Sequence, residues 1–280
     1  MHHLHQHIID LVYNKSMNQS ILEENLSSLP LGEIKYFDTI GSTNEFALNW
    51  AKSGAVDNCL VVANTQTAGR GRLGRKWITE PDSSLAFSLI FQPQPAENRL
   101  LPLFSPLGSL AVAETLSGHY AIEHVKVKWP NDVLIDQQKV SGILVESSWL
   151  GSKAQVVVVG IGVNVGKGSV PPPEQVLFPA TCIETHSVGP VDRVELIGKI
   201  LKSLLEWRKK ITTNEFLSAW DNYLAFRGEL VHIQQTDNWS VTGELLGIDK
   251  YGNLRIRTGQ GGILAVAFGD VHLRPIKKPQ

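Results

Sequence analysis

Cysteine is nearly missing from this 280-residue chain; Cys59 and Cys182 are the only two. They could form one disulfide at most, which rules out a disulfide-built scaffold and suits the reducing cytoplasm. Net charge is also missing: 26 basic residues meet 27 acidic ones, a balance of -1. No overall basic field marks the chain as a nucleic-acid binder. No apolar run approaches the roughly 18 residues of a membrane helix, and the N-terminus has no signal-peptide core. Residues 1–7 carry His2, His3, His5 and His7 instead, read as a solvated terminus. The phosphate-binding G-x-x-x-x-G-K-[ST], the zinc-binding H-E-x-x-H, a C-x-x-C pair and the nucleophile elbow G-x-S-x-G are all lacking. There is no internal repeat. What remains is an ordinary globular composition, 42% hydrophobic and 19% charged, in a length that fits one large domain or two.

Positive charge is concentrated in one place. Residues 66–77 read Gln-Thr-Ala-Gly-Arg-Gly-Arg-Leu-Gly-Arg-Lys-Trp, with Arg70, Arg72, Arg75 and Lys76 set among Gly69, Gly71 and Gly74. Like charges this close repel unless an anion shares the space. Arginine offers planar, permanent donors for carboxylate or phosphate, and glycine lets the backbone close on a ligand. The stretch formally contains G-x-G-x-x-G after a strand, but Arg75, Lys76, Trp77 and Pro81 follow it where an apolar helix should begin. A dinucleotide fingerprint is therefore rejected, and a mobile anion-binding loop is the reading.

Two further stretches are chemically suggestive. Lys128-Trp129-Pro130-Asn131-Asp132 places a cation and two short polar groups around a rigid turn, and Lys139 follows on the adjoining strand pair. That pairing would bring Asp132 and Lys139 to one pocket. Gly160-Ile161-Gly162-Val163-Asn164 is a glycine-rich strand end, either a close passage of backbones or a backbone surface against a ligand, with Asn164 as an amide contact. The pattern as a whole signals charge stabilisation of anions without a protein nucleophile.

Along the chain, residues 8–29 suit one or two helices, stopped by Pro30 and Gly32. Strands are expected at 33–38, 59–63, 84–91, 125–128 and 155–159, with a hairpin of 133–135 and 140–146 turned at 136–139. Helices are expected from Ser42 or Thr43 to about Ser53, over 103–116, over 191–210 with Asp192 as cap, and over 214–224. Residues 166–179, with Pro171, Pro172 and Pro173, form a loop. After Glu229 the pattern changes to five short strands with turns between them, the signature of a small β-barrel.

Taken in order, these motifs resemble the biotin protein ligase family over residues 33–275. The resemblance rests on residues 69–77, Lys128–Asp132 as quoted, residues 139–146 (Lys-Val-Ser-Gly-Ile-Leu-Val-Glu), Gly160 to Asn164, Ser42-Thr43-Asn44, and the ending Phe268-Gly269-Asp270-Val271 with Leu273-Arg274-Pro275. It implies an α/β (α+β) fold: a mixed-sheet catalytic domain of class II synthetase-like type, then a C-terminal SH3-like barrel. The expected division is a helical extension over 1–32, the catalytic domain over 33–226 and the barrel over 227–280. The implied activity joins biotin to a lysine of a biotin carboxyl carrier protein, through biotinyl-5′-adenylate made from biotin and MgATP.

By the same resemblance Ser42, Thr43, Asn44 and Gln66 hydrogen-bond the biotin head group. Arg70, Gly71 and Arg72 lie on biotin and adenylate. Lys139 holds the carboxylate and later the oxyanion, and Lys128, Asn131 and Asp132 form a second polar wall, with Asp132 orienting or deprotonating the carrier lysine. Asn164 falls on the nucleotide side. Lys139, Arg72 and Asp132 are the expected catalytic residues, the ligands of Mg²⁺ stay open, and so does a homodimer. The family's Ser-Pro-x-Gly-x-Asn-Leu after the tryptophan is replaced here by residues 78–85, Ile-Thr-Glu-Pro-Asp-Ser-Ser-Leu, which questions the contacts of that turn. Residues 1–29 are too short for the winged helix-turn-helix that some members carry, so a cytoplasmic ligase without DNA binding is expected. A lipoate or octanoate ligase, and a biotin sensor that has lost transfer, remain the rival readings.

Overall fold

Strand β7 (Lys153–Asn164) is apolar at nearly every position because both of its faces are covered. In the computed structural model, which describes residues 17–236, 239–267 and 272–276, it lies inside a seven-stranded mixed sheet. The other strands are β1 (Ile34–Ile40), β2 (Leu60–Gln66), β3 (Ser84–Phe91), β4 (Val125–Lys128), β5 (Asp132–Ile135) and β6 (Gln138–Leu150), in the order β1-β2-β3-β7-β6-β5-β4. β1 and β2 run parallel and every later pair is antiparallel. The histidine-rich residues 1–7, the first half of the expected helical extension and Phe268-Gly269-Asp270-Val271 lie outside the described residues.

Side-chain alternation sorts the sheet into two unequal faces. One face, with Val157, Val159, Ile161, Phe87 and Leu89, packs under α3 (Phe104–Glu114), α4 (Arg193–Arg208) and α5 (Asn214–Asn222), and α1 (Gln19–Leu26) closes the same layer against α4. Among the described residues the other face has a single helix, α2 (Thr43–Lys52), which covers Val61, Ile90, Val156 and Val158. Beyond the start of α2 no described helix covers this second face, and the site lies there. α4 begins as expected: Asp192 accepts from the amides of Val194 and Glu195. Ser42 occupies the cap position of α2, but its side chain makes no capping bond. α3 ends in a wide turn, Thr115–His119, with five-residue hydrogen bonding in place of the plain end expected at 116.

The expected hairpin is sharper and longer than its sequence pattern indicated. Its turn is the pair Asp136 and Gln137, both left-handed, so Lys139 already belongs to β6. β6 and β7 continue past the predicted limits, and the glycine-rich residues 160–164 are strand throughout, not a strand end. Glycine lowers strand propensity, but pairing on both sides overrides it here.

Residues 230–275 form the SH3-like unit: β8 (Leu230–Thr236), β9 (Trp239–Ile248), β10 (Leu254–Thr258), β11 (Ile263–Val266) and β12 (His272–Pro275), antiparallel in the order β11-β10-β9-β8-β12. Its apolar residues Val231, Ile233, Leu245, Leu254, Ile256 and Leu273 belong to the same continuous core as the large sheet. Trp129, fully buried, donates its indole N–H to the Gly252 carbonyl at 3.1 Å and stitches the two units together.

One ion cluster locks the layers far from the site. Arg208, at the end of α4, reaches Glu97 at 3.1 Å and Asp57 at 2.9 Å and lies over the Phe91 ring. Only 10% of the Arg208 side chain and 7% of Glu97 are exposed. Removing one member of such a pair strands a buried charge. Arg208→Ala is therefore expected to cost about 3 kcal/mol of stability, read from the urea midpoint at unchanged slope.

Candidate active site

The open part of the sheet face is floored by glycine. Gly142 on β6 pairs with Gly162 on β7, and Gly160 lies two residues along from Gly162. A Cβ on Gly160 would collide with the Asn44 side chain, and one on Gly162 with the Trp77 indole. These positions are glycine because two site side chains lie directly on the backbone. Against this floor α2 brings Ser42, Thr43 and Asn44, all buried, with the positive end of the helix toward the cavity.

Their hydrogen bonds form one connected set. The amide and hydroxyl of Thr43 both donate to Gln66 Oε1, at 2.8 and 3.1 Å. Ser88, buried on β3, links the Thr43 hydroxyl (2.8 Å) and Asn44 Oδ1 (2.6 Å). Asn44 Nδ2 donates to the Leu144 carbonyl at 3.1 Å and to Glu146 at 2.9 Å. The Gln66 amide, on β2, donates to the Thr79 hydroxyl at 3.0 Å and the hydroxyl donates back to the Gln66 carbonyl at 3.4 Å, so the strand end and the chain beyond the loop are joined.

The arginine loop folds over this wall as a small closed turn. Arg70 and Lys76 bridge antiparallel, the Gly71 amide donates to the Arg75 carbonyl, and the Trp77 amide donates to the Gly69 carbonyl. Leu73 and Gly74 at the tip are left-handed, at φ 60 and 69°. For leucine that backbone is strained, which marks the tip as held in shape by its surroundings. Arg72 donates to Asn131 Oδ1 at 3.2 Å, and Arg70 pairs with Glu146 at 3.0 Å.

A carboxylate sits between two lysines on the opposite side. Asp132, at the start of β5, meets Lys139 at 2.6 Å and Lys128 at 3.2 Å, with 10% of its side chain exposed. Burial pushes its pKa up, but Lys139 and Lys128 outweigh burial and hold it at about 2. Burial lowers the pKa of Lys128, and Asp132 opposes that shift. Lys139 lies over the Trp77 ring and Lys128 over Phe178. Held as an anion between two lysines, Asp132 is set for the first of its two expected roles, orienting an incoming amine, more than for the second, deprotonating it.

Eleven of the twelve residues expected in the site line one inner cavity of about 120 Å³: Ser42, Thr43, Asn44, Gln66, Arg70, Gly71, Arg72, Lys128, Asn131, Asp132 and Lys139. Asn164 lines an adjoining cavity of about 450 Å³ that shares Trp77, Lys128, Asp132 and Lys139 and continues to Phe178 and Arg274. The inner lining holds six cationic side chains and one acid, Asp132, so the chamber suits an anion. Sequence reasoning left out Ser88, Trp77, Glu146, Phe178 and Arg274. Trp77 and Glu146 ended motifs already quoted; Phe178 and Arg274 converge only through the fold, since Arg274 donates to the Leu177 carbonyl at 3.1 Å. In the altered turn after Trp77, Asp82 is left-handed (φ 58°) and is held by Arg193 at 2.8 Å.

Comparison with known proteins agrees with this geometry. Residues 36–164 match the biotin/lipoate A/B protein ligase family and residues 228–274 the biotin protein ligase C terminal domain. The chain is 34% identical over 237 residues to the biotin–[acetyl-CoA-carboxylase] ligase of Paracoccus denitrificans, covering 82% of this chain and 96% of that protein. It is 31% identical over 261 residues to the bifunctional ligase/repressor BirA of Bacillus spizizenii, covering 92% of this chain and 79% of the relative. The structure of Aquifex aeolicus biotin protein ligase in complex with biotin and ATP superposes with a TM-score of 0.75 at 31% identity, over 88% of this chain and 100% of that one. The chain belongs to the biotin protein ligase family.

The lysine–aspartate–lysine group makes stability depend on acid. The Asp132 pKa is depressed from 3.8 to about 2, so its contribution is complete above the unfolded value and is lost as pH falls through the folded one. Between about pH 4 and pH 2 the protein should lose roughly 2 kcal/mol from this residue alone. Asp132→Asn should flatten that part of the stability curve, measured by urea unfolding at stepped pH.

Proposed function

We propose that this chain is an ATP-dependent biotin–protein ligase that makes biotinyl-5′-adenylate and transfers biotin to a lysine of a biotin carboxyl carrier domain. The observation that carries the reading is the pair of adjoining cavities that share Lys128, Asp132, Lys139 and residues 75–77 (Arg75, Lys76 and Trp77). Two ligands placed in them meet at those six residues. The catalytic domain is assigned to residues 33–226 and the barrel to 227–280, in a cytoplasmic protein. Two buried free cysteines and the lack of any described helix long and apolar enough to cross a membrane fit that assignment.

The polar wall of Ser42, Thr43, Asn44 and Gln66 suits the ureido ring, which needs donors and acceptors in fixed pairs. The Ser42 hydroxyl, not used for capping, is one such group. The indole N–H of Trp77 is buried with no hydrogen-bond partner among the described residues and offers another donor. The apolar tail would lie against the Trp77 indole that covers the glycine floor, with its carboxylate toward Lys139. ATP would enter the outer cavity, its base against Phe178 and its phosphates toward Lys128, Arg72 and Asn164. The described residues contain no group of three metal-ligating side chains, so magnesium would arrive as MgATP, held by phosphate oxygens.

In the first step a biotin carboxylate oxygen bonds to the α-phosphorus as the bond from that phosphorus to the pyrophosphate oxygen breaks. Bringing two unit anions to ~4 Å costs about 4 kcal/mol at an effective dielectric of ~20. Lys139, Lys128 and Arg72 offset this repulsion and remain on the charge that develops. In the second step the uncharged carrier amine attacks the acyl carbon. The C–O bond to AMP breaks, AMP leaves with that electron pair, and the proton lost by the amine passes to the departing phosphate as the amide forms. Lys139 holds the oxyanion, and Asp132 accepts a hydrogen bond from the amine without taking its proton. The loop over residues 69–77 shields the mixed anhydride from water between the steps.

Incubation with biotin, MgATP and a purified carrier domain should add one biotin mass to the carrier, and ATP–pyrophosphate exchange should require biotin and not respond to lipoate. A carrier that gains lipoate instead would overturn the substrate. Arg72→Gly should form adenylate but lose it to solution, raising free biotinyl-AMP at least about tenfold, the effect of roughly 1.4 kcal/mol of lost contact.

A further inference from the structure

Glu146 has a place in the site that neither step above employs. It stands on β6 opposite Val158, on the face that carries Gly142, Leu144 and, across the pair, Gly160. One of its oxygens, Oε2, accepts from two groups of different origin: Asn44 Nδ2 on α2 at 2.9 Å and Arg70 Nη2 on the loop at 3.0 Å. The polar wall and the loop are thus joined at a single atom.

Each contact has a physical consequence. A carboxylate only accepts hydrogen bonds, as does the Leu144 carbonyl beside it, so the two together hold Asn44 with its amide nitrogen toward β6 and its oxygen toward Ser88. That fixes the orientation of a buried amide on the polar wall. Arg70 lines the cavity, but its guanidinium is paired with Glu146, which offsets part of the charge it presents to a ligand. What the pair supplies is attachment of the loop to the sheet. Arg70 and Glu146 are 41% and 26% exposed, so the attachment is of moderate strength and can open.

We propose that Glu146 is a positioning residue that latches the 69–77 loop through Arg70 and sets Asn44 through the same oxygen, coupling recognition of the ligand head group to retention of the acyl-adenylate. The proposal rests on the ligase reading given above. Ligand entry needs the latch open, and the latch closed keeps water from the anhydride. Since Arg70 is held by the protein, closure does not compete with the ligand for Arg72, Lys128 and Lys139.

The test uses the full chain and its preformed biotinyl-adenylate, with release followed by rapid gel filtration of label, and steady-state transfer to carrier measured in parallel. Glu146→Ala is expected to speed release about tenfold and to raise KM for biotin by a similar factor, while kcat for transfer changes less than about twofold. Arg70→Ala should speed release about threefold and raise KM for biotin by less than Glu146→Ala does. The double variant should release no faster than Glu146→Ala, because both changes break the same contact. Glu146→Gln, equal in size, keeps the measurement open if the alanine variant does not fold; it should release adenylate faster than wild type. Additive release rates, a fall in kcat with KM unchanged, or single variants that retain adenylate as wild type does would each overturn the latch. A wild-type protein that forms no adenylate from biotin and MgATP would overturn the ligase reading instead.

Discussion

Asp132 between Lys128 and Lys139 is the interaction on which the rest of the site depends. Two ammonium groups this close repel, and burial adds a cost that neither could sustain unpaired. One carboxylate at 2.6 and 3.2 Å neutralises half of that charge and leaves the group as a whole positive. The result is a net cation that survives partial burial, with both lysines aimed by the same anion and backed by the Trp77 and Phe178 rings. An anion entering the cavity meets charge that is already in place and needs little rearrangement to respond. The same electrostatics that make Asp132 a poor base make it a good anchor.

The sheet supplies what side chains cannot. On the second face α2 ends its cover at residues 42–44, and the uncovered surface beyond it would be an apolar patch if β6 and β7 continued in valine. Glycine at 142, 160 and 162 lowers the floor instead, so Asn44 and Trp77 can lie on it. The cavity is therefore made by removing side chains from a paired, rigid strand, not by opening a loop. A ligand above this floor is bounded by regular structure below and by the arginine turn above. Rigidity and access are divided between the two: the strands fix the geometry, and the loop, tied to them through Arg70 and Arg72, governs passage.

Much of this was legible in the residues themselves. Charge crowding in residues 66–77 marked an anion loop, and alternation and turn residues placed most strands within a few positions, because those signals are local. The place of Ser42, Thr43 and Asn44 in the site was given only by resemblance; in the fold Thr43 and Asn44 meet the Ser88 hydroxyl, a buried polar group among the apolar residues of β3 that needs partners. Glycines 160 and 162 read equally as a strand end, since glycine disfavours strands in isolation and only pairing on both sides decides otherwise. Phe178 carried no signal, and Arg274 stood only in the motif that ends the barrel, with nothing to tie it to the site. Nearly 100 positions separate them, and their shared cavity exists only because β12 and the loop after β7 converge in the fold.

That convergence bears on why the barrel is part of this enzyme. Trp129 precedes the Pro130-Asn131-Asp132 turn, and its indole N–H is bonded to Gly252 of the barrel. The Val127 backbone pairs with residues 223–225, which lead into the barrel. Arg274 of β12 holds the Leu177 carbonyl, beside the Phe178 ring that covers Lys128. Two flanks of the lysine–aspartate–lysine group are thus braced by the C-terminal unit, one through the turn that delivers Asp132 and one through the loop over Lys128. A charge cluster whose balance depends on distances near 3 Å tolerates little movement of its backbone, because Coulomb energy in a partly buried site changes steeply with separation. The barrel shares the main core and therefore cannot drift from the sheet without exposing it. Its contribution to chemistry is positional: it keeps the turn and the loop at the spacing that lets one carboxylate balance two lysines.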